Sequence, residues 1–161
     1  MPDYDVLFVG GGPVGAAAAL SLRGAGLTVG LVEARAPQAV QADPRPIAIS
    51  HGSRLILERI GVWEQLAPAT PIERIHVSQR GGFGRVELNA NEAGLPALGY
   101  VLDYGRLATT LAGALEAQDG CHLVRAAVNA LESGSGAALA RFDAVTGPGQ
   151  ATARLLAVAD G

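Results

Sequence analysis

Lysine is missing from this chain: all 12 basic residues are arginine. Its absence excludes a lysine Schiff base and the lysine of a Walker-type phosphate loop. Cys121 is the lone cysteine, which excludes an internal disulfide framework and any zinc site built on cysteine pairs. No uninterrupted apolar run approaches the roughly 20 residues that a membrane-crossing helix needs. Charge of one sign is also scarce. The formal net charge is −3 and the arginines are scattered, so there is no basic stripe and nucleic acid is not an expected partner. His51, His76 and His122 lie far apart without metal-ligand spacing and read as surface or packing residues, so no metal site is expected. The first strand begins at once, which leaves no room for a signal peptide, and the expected compartment is the cytoplasm.

Glycine, by contrast, is abundant, at 22 of 161 residues. Gly10 to Gly15 read Gly-Gly-Gly-Pro-Val-Gly, between a strand-like run (Tyr4 to Val9) and an alanine-rich helical run. Gly10, Gly12 and Gly15 fill the three positions of a G-x-G-x-x-G fingerprint. The first glycine permits a tight strand-to-helix turn, the second lets a diphosphate approach the backbone, and the third lets helix pack on strand. The phosphates would then meet free N–H groups at the positive end of the helix dipole, with Pro13 and Val14 inside the turn. A second strand, Leu27 to Val32, closes on Glu33. That acid stands roughly 20 residues beyond the second glycine, where one should accept hydrogen bonds from an adenosine ribose.

A length of 161 residues suggests one domain, and 49% hydrophobic against 17% charged residues suits a buried parallel sheet. Helical spacing predicts a first helix over 14–25, stopped by Gly26. Pro37, Pro44 and Pro46 predict an extended crossing over 34–50, where a simple NAD domain would place another βαβ unit. A helix is expected at Ser53 to Ile60 and a strand at Ile72 to Gln79. A hairpin turn follows at Arg80 to Gly84, then strands at Arg85 to Asn89 and Leu98 to Asp103. Arg106 to Gln118 forms an amphipathic helix, with Leu107, Leu111, Ala114 and Leu115 on one face. Cys121 to Val124 reads as a buried strand. Runs at 126–132, 137–143 and 151–158, separated by Ser-Gly-Ser-Gly and Thr-Gly-Pro-Gly, predict an antiparallel meander. The last run is apolar throughout and should be buried on both faces, with Asp160 at its carboxyl end beside the Gly-rich turn.

These features together resemble the N-terminal part of the class A flavoprotein hydroxylases, in particular the ubiquinone-biosynthesis branch and its 2-octaprenyl-6-methoxyphenol hydroxylase type. The residues that carry the likeness are Val9-Gly10-Gly11-Gly12-Pro13-Val14-Gly15 and Asp43-Pro44-Arg45-Pro46-Ile47-Ala48-Ile49-Ser50. They continue with Arg59-Ile60-Gly61-Val62-Trp63, Ile75-His76-Val77-Ser78-Gln79-Arg80-Gly81, Ala97-Leu98-Gly99-Tyr100-Val101 and the terminal Ala159-Asp160-Gly161. The fold class expected is α/β: a Rossmann-like FAD/NAD(P)-binding domain with a parallel sheet, an antiparallel β-meander crossover and part of a substrate-domain β-hairpin, truncated. The resemblance divides the chain into an FAD core at about 1–69 and 105–161, with a partial substrate-domain insertion at about 70–104.

The resemblance implies FAD as cofactor and NAD(P)H as electron donor. O2 and a polyprenyl phenol would be the substrates, and other ubiquinone-biosynthesis proteins the partners, with peripheral contact to the inner membrane. The cofactor carries the difficult chemistry, so no catalytic side chain is assigned. By the same likeness Arg45 would lie along the flavin and its phosphates, and Arg106 would reach FAD from the first turn of its helix. Asp160 would bond near the diphosphate or ribityl chain, and Arg35 would lie on the adenine. The family continues well past the Asp-Gly pair, so the chain is expected to be a fragment that binds FAD weakly and does not turn over alone. Four alternatives differ in chemistry, one being an FAD reductase of the same superfamily. A halogenase of the superfamily should carry a lysine, an NAD-linked dehydrogenase should show a second βαβ unit after Glu33, and a non-catalytic nucleotide-binding remnant would do neither reaction.

Overall fold

The computed structural model describes residues 1–160. Two units are distinguished by their internal packing: Met1–Asp43 with the stretch from Ala108 onward, and Pro44–Leu107. Residues 44–69 therefore pack with the hairpin-bearing segment that follows them.

The first unit is built on β1 (Tyr4–Val9), whose Leu7 is wholly buried. It lies between two parallel neighbours, β2 (Val29–Glu33) and β10 (Gly147–Val158). All five residues of β2 are buried, as expected of a parallel strand covered on both faces. Next to β2 runs β8 (Cys121–Ser133), with Glu33 opposite Arg125. Two aspartates tie down the start of β1. The Asp3 carboxylate accepts the N–H and hydroxyl of Thr152, each at 2.8 Å. Asp5 accepts the N–H of Thr28 at 3.0 Å and the guanidinium of Arg154 at 3.1 Å. These bonds, the backbone N–H foremost in each case, hold both carboxyls below their ordinary values.

The strands β8 and β10 are both long, and each serves two partnerships. The first half of β8 pairs with β2, and its second half pairs antiparallel with β9 (Ala138–Ala144). The first half of β10 pairs with β9 and its second half with β1. The sheet thus closes on itself in the order β1-β10-β9-β8-β2. A break in register between Val128 and Ala130 marks where β8 turns out of the parallel layer. The expected separate strands at 121–124 and 126–132 are one strand that bends without breaking. Inside the ring, Leu7, Val32 and Phe142 pack with Ala126, Ala140, Ala151 and Ala153. The alanines let the walls close, and Gly149 makes room for Phe142: a Cβ there would stand 2.5 Å from its ring.

Local departures from the sequence reading have local causes. Helix α1 runs Pro13–Ser21, shorter than expected, because Leu22 and Arg23 form tight i−3 bonds to Ala19 and Leu20 before Gly24 adopts φ +76°. The proline-rich crossing holds a short helix, α2 (Pro37–Gln41), since Pro37 occupies the first helical position, where a missing N–H costs nothing. The end of the last strand is not buried on both faces: Leu155 and Val158, which alternation sets on opposite faces, are 58% and 56% exposed.

In the second unit β3 (Pro46–Ser50) and β4 (Thr70–Ile72) flank β7 (Gly99–Asp103), all antiparallel. Helix α3 (His51–Arg59) is capped by the Ser50 hydroxyl, which accepts the Ser53 N–H at 3.1 Å, and Gly61 at φ +80° follows it. A 3-10 turn spans Trp63–Leu66, and Trp63 meets Tyr100 edge-on at 5.1 Å. The expected strand at Ile72 to Gln79 divides at Glu73. Its outer part, β5 (Arg74–Ser78), pairs only with β6 (Arg85–Asn89) as a separate hairpin. Helix α4 (Tyr104–Glu116) buries Leu107, Leu111 and Leu115, as its spacing predicts.

Leu7 sits where β1 is covered from every side. Leu7→Ala should lower unfolding free energy by about 2–5 kcal/mol, read as a reduced urea midpoint with unchanged slope.

Candidate functional site

The turn from β1 into α1 is locked by contacts that only glycine permits. Gly10 sits at φ +104°, and a Cβ on it would stand 2.5 Å from the Ala159 carbonyl oxygen. A Cβ on Gly15 would overlap the Gly10 carbonyl, so helix and turn touch backbone to backbone. The Gly10 N–H donates to the Val32 carbonyl at 2.8 Å, and the Ala159 N–H to Val9 at 2.7 Å, which staples the turn to both neighbouring strands. Gly12 differs. Its φ of −63° is ordinary, and the nearest atom to a Cβ there would be the Arg35 Nη2, at 3.2 Å. Only the far end of a flexible side chain faces Gly12, so its backbone is approachable once Arg35 swings aside.

Helix α1 begins at Pro13 with no side-chain cap and no acid in its first turn. Its first free amides, at Val14 and Gly15, have no side chain to satisfy them, and Val14 is itself exposed. An anion is what such an end attracts.

Glu33, at the end of β2, is the one buried charged residue among those described, at 6% exposure. One carboxylate oxygen, Oε2, accepts the Gly11 N–H at 2.6 Å. The other, Oε1, accepts the Arg35 N–H at 2.7 Å and its Nε at 3.1 Å. Burial alone raises this carboxyl. The Arg35 N–H, the Arg35 guanidinium and the Gly11 N–H outweigh burial and hold it below its ordinary value. Glu33 is thus a carboxylate near neutral pH, and a carboxylate's four lone-pair positions leave it room for a further donor.

Two clefts meet at this residue. One, about 250 Å³, is lined by Gly10, Glu33, Arg35, Ala127, Val128 and Asp160. The other, about 170 Å³, is lined by Gly11, Glu33, Val40, Ala112 and Arg125, between α2 and α4. The structure therefore gathers Gly10, Gly12, Pro13, Val14, Gly15, Glu33, Arg35 and Asp160 into one unit. Asp160 is exposed and follows the residue that abuts Gly10. Gly161, its partner in the Asp-Gly pair, lies outside the described residues.

Arg45 and Arg106 belong to the other unit and meet around the start of α4. The Arg45 guanidinium lies 5.1 Å over the Tyr104 ring, and its carbonyl accepts the Tyr104 N–H at 2.9 Å. The Arg106 N–H is capped by Asp103 at 2.7 Å, and its Nε donates to the Gln65 carbonyl at 3.2 Å. Gly11 is the functional residue that the fingerprint missed. Its Cβ would stand 2.7 Å from the Leu31 side chain and 2.8 Å from that of Glu33, and its N–H anchors the acid. The uninterrupted Gly-Gly-Gly run was the available signal.

The family model described as "FAD binding domain" matches residues 3–161. The Escherichia coli 3-demethoxyubiquinol 3-hydroxylase is 35% identical over 119 residues, covering 70% of this chain and 30% of that protein. The ubiquinone hydroxylase UbiM of Neisseria meningitidis is 44% identical over 66 residues, covering 38% of this chain and 14% of that protein. Among solved structures, the anhydrotetracycline hydroxylase OxyS of Streptomyces rimosus superposes with a TM-score of 0.74 at 26% identity, over 98% of this chain and 31% of that one. The chain spans less than a third of the length of the curated relatives it matches.

The depressed Glu33 carboxyl has a consequence for stability. Its contribution is complete above the unfolded value of 4.5 and is lost as pH falls through the lower folded value. Glu33→Gln should cost about 1–3 kcal/mol at neutral pH. The difference between parent and variant should shrink below pH 4.5, in urea titrations run across the acid range.

Proposed function

The chain belongs to the FAD binding domain family, and from that premise we propose that it is the dinucleotide-holding part of a flavin-dependent monooxygenase that hydroxylates a polyprenyl phenol of ubiquinone biosynthesis with NAD(P)H and O2. The observation that carries this reading is the pairing of an approachable Gly12 at an uncapped helix start with an ionised Glu33 one strand away. The residues present fit the adenosine diphosphate half of FAD. Gly10, Gly11 and Gly15 are close-packed and leave no space for a side chain, whereas the backbone at Gly12 stays accessible.

In this reading the Val14 and Gly15 amides take the diphosphate, with Pro13 setting the helix direction. Glu33 accepts a ribose hydroxyl, oriented for it by Gly11 and Arg35. Asp160 orients the chain beyond the diphosphate, and Arg35 supplies positive charge beside it. Arg45 and Arg106 are proposed as further contacts on the strength of the family likeness. When bound, FAD would accept a hydride from NAD(P)H and activate O2 for transfer to an electron-rich ring. The chain's own part is to bind, orient and keep water from the reactive end. The names of the two hydroxylase relatives support the ubiquinone assignment, and OxyS supports the wider class of aromatic hydroxylation. Because the match covers no more than 30% of each of these relatives, catalysis is proposed for the whole protein, and the chain alone is expected not to hydroxylate phenols.

Two glycines separate binding from folding. Gly15→Ala should destabilise the chain by about 1–3 kcal/mol, because its methyl meets backbone. Gly12→Ala should stay within about 1 kcal/mol of the parent, yet weaken FAD about tenfold or more by blocking the diphosphate. Fluorescence titration of the chain with FAD and with NADH checks both. FAD should bind the more tightly, and a chain that prefers NADH, or a Gly12→Ala variant with parental FAD affinity, would count against the proposal.

A further inference from the structure

The β5–β6 hairpin pairs in register from Arg74 opposite Asn89 to Ser78 opposite Arg85. Alternation places Ile75, Val77, Val86 and Leu88 on one face, and all four are exposed. At its tip, Phe83 stands between Gly82 and Gly84 with its whole side chain in solvent. Arg80 and Arg85 bracket it, and no acid occurs between Arg74 and Val86. Other exposed strand arginines are paired: Arg74, at the base of this same hairpin, with Glu87, Arg141 with Glu132 and Arg154 with Asp5. Among the described residues neither Arg80 nor Arg85 has a carboxylate partner.

We infer that this tip docks on an anionic lipid surface, with Phe83 at the headgroup level and Arg80 and Arg85 on the phosphates around it. An apolar ring buries at the boundary between headgroups and acyl chains, and cations beside an anionic leaflet are drawn to it within a Debye length. A protein partner would have to offer a pocket shaped to a lone ring on a convex turn. A bilayer demands no shape, only an apolar insert beneath unpaired positive charge. The inference rests on reading the substrate as a polyprenyl phenol, whose tail partitions into a bilayer, and it gives the chain a point of contact with that reservoir.

The test is co-sedimentation of the full chain with vesicles of phosphatidylglycerol and phosphatidylcholine in equal parts, and with phosphatidylcholine alone. Binding is expected to the anionic vesicles, weakening with added salt, and little to the neutral ones. The double variant Arg80→Gln, Arg85→Gln should lose about 25-fold in partition, about fivefold for each cation. Phe83→Ser should lose about tenfold or more. Each variant should keep the parental melting curve and FAD affinity, since the tip makes no packing contact. Failure of the parent to sediment would overturn the inference, as would variants that bind like the parent. So would a concentration-dependent dimer in velocity sedimentation that Phe83→Ser abolishes, which would make a second copy the occupant. FAD titration of the same preparations separates the two proposals. A chain that binds FAD but not vesicles fails only here, and one that fails to bind FAD removes the functional reading first.

Discussion

The carboxylate of Glu33 is the joint on which the site depends. It is buried, and a buried charge persists only where hydrogen bonds replace its water. The Gly11 N–H and two donors of Arg35 supply that replacement, so the acid binds the Gly-rich turn to the end of β2. The interaction works in both directions. The turn keeps the acid ionised, and the acid holds the turn in the shape in which only the end of the Arg35 side chain faces Gly12. A side chain at Gly11 would push against Leu31 and against Glu33 itself, which is why the middle glycine of the run matters as much as the two that flank it.

Around this joint the sheet provides a rigid frame by an unusual economy of strands. Residues near the carboxyl end of β10 and near the bend of β8 both line the cleft beside Glu33, because those two strands serve the parallel layer with one half and the meander with the other. Closing the ring brings Ala127 and Val128 beside the turn although more than a hundred residues separate them from it. The small side chains inside the ring make that closure possible, and Phe142 fills what they leave.

Much of this was legible in the residues. The strand–turn–helix, the acid at the end of the second strand, the meander and the amphipathic stripe of α4 all follow from local spacing, and the structure bears each out. Where the expected strand bounds differ from the structure, the deciding force is not local. Nothing in the composition of 121–132 distinguishes two strands from one long strand with a bulge at Asn129; the need to pair with both β2 and β9 decides it. Pro37 predicts an extended crossing, but its ring suits a helix start equally well, and the chain uses it so. The split at Glu73 likewise depends on which sheet each half finds, not on its alternation.

By itself, then, the sequence determined the chemistry of the turn: which glycines lack a side chain, where a helix presents free amides, and where an acid closes a strand. These are properties of neighbours along the chain, and spacing is enough to reveal them. Only the tertiary structure decided that Glu33 is held by Gly11 and Arg35, that Asp160 follows a residue pressed against Gly10, and that Arg45 and Arg106 gather instead around the start of α4. Those facts come from contacts between residues distant in the chain. Such contacts form only when the strands pair and the ring closes, and no local pattern records them.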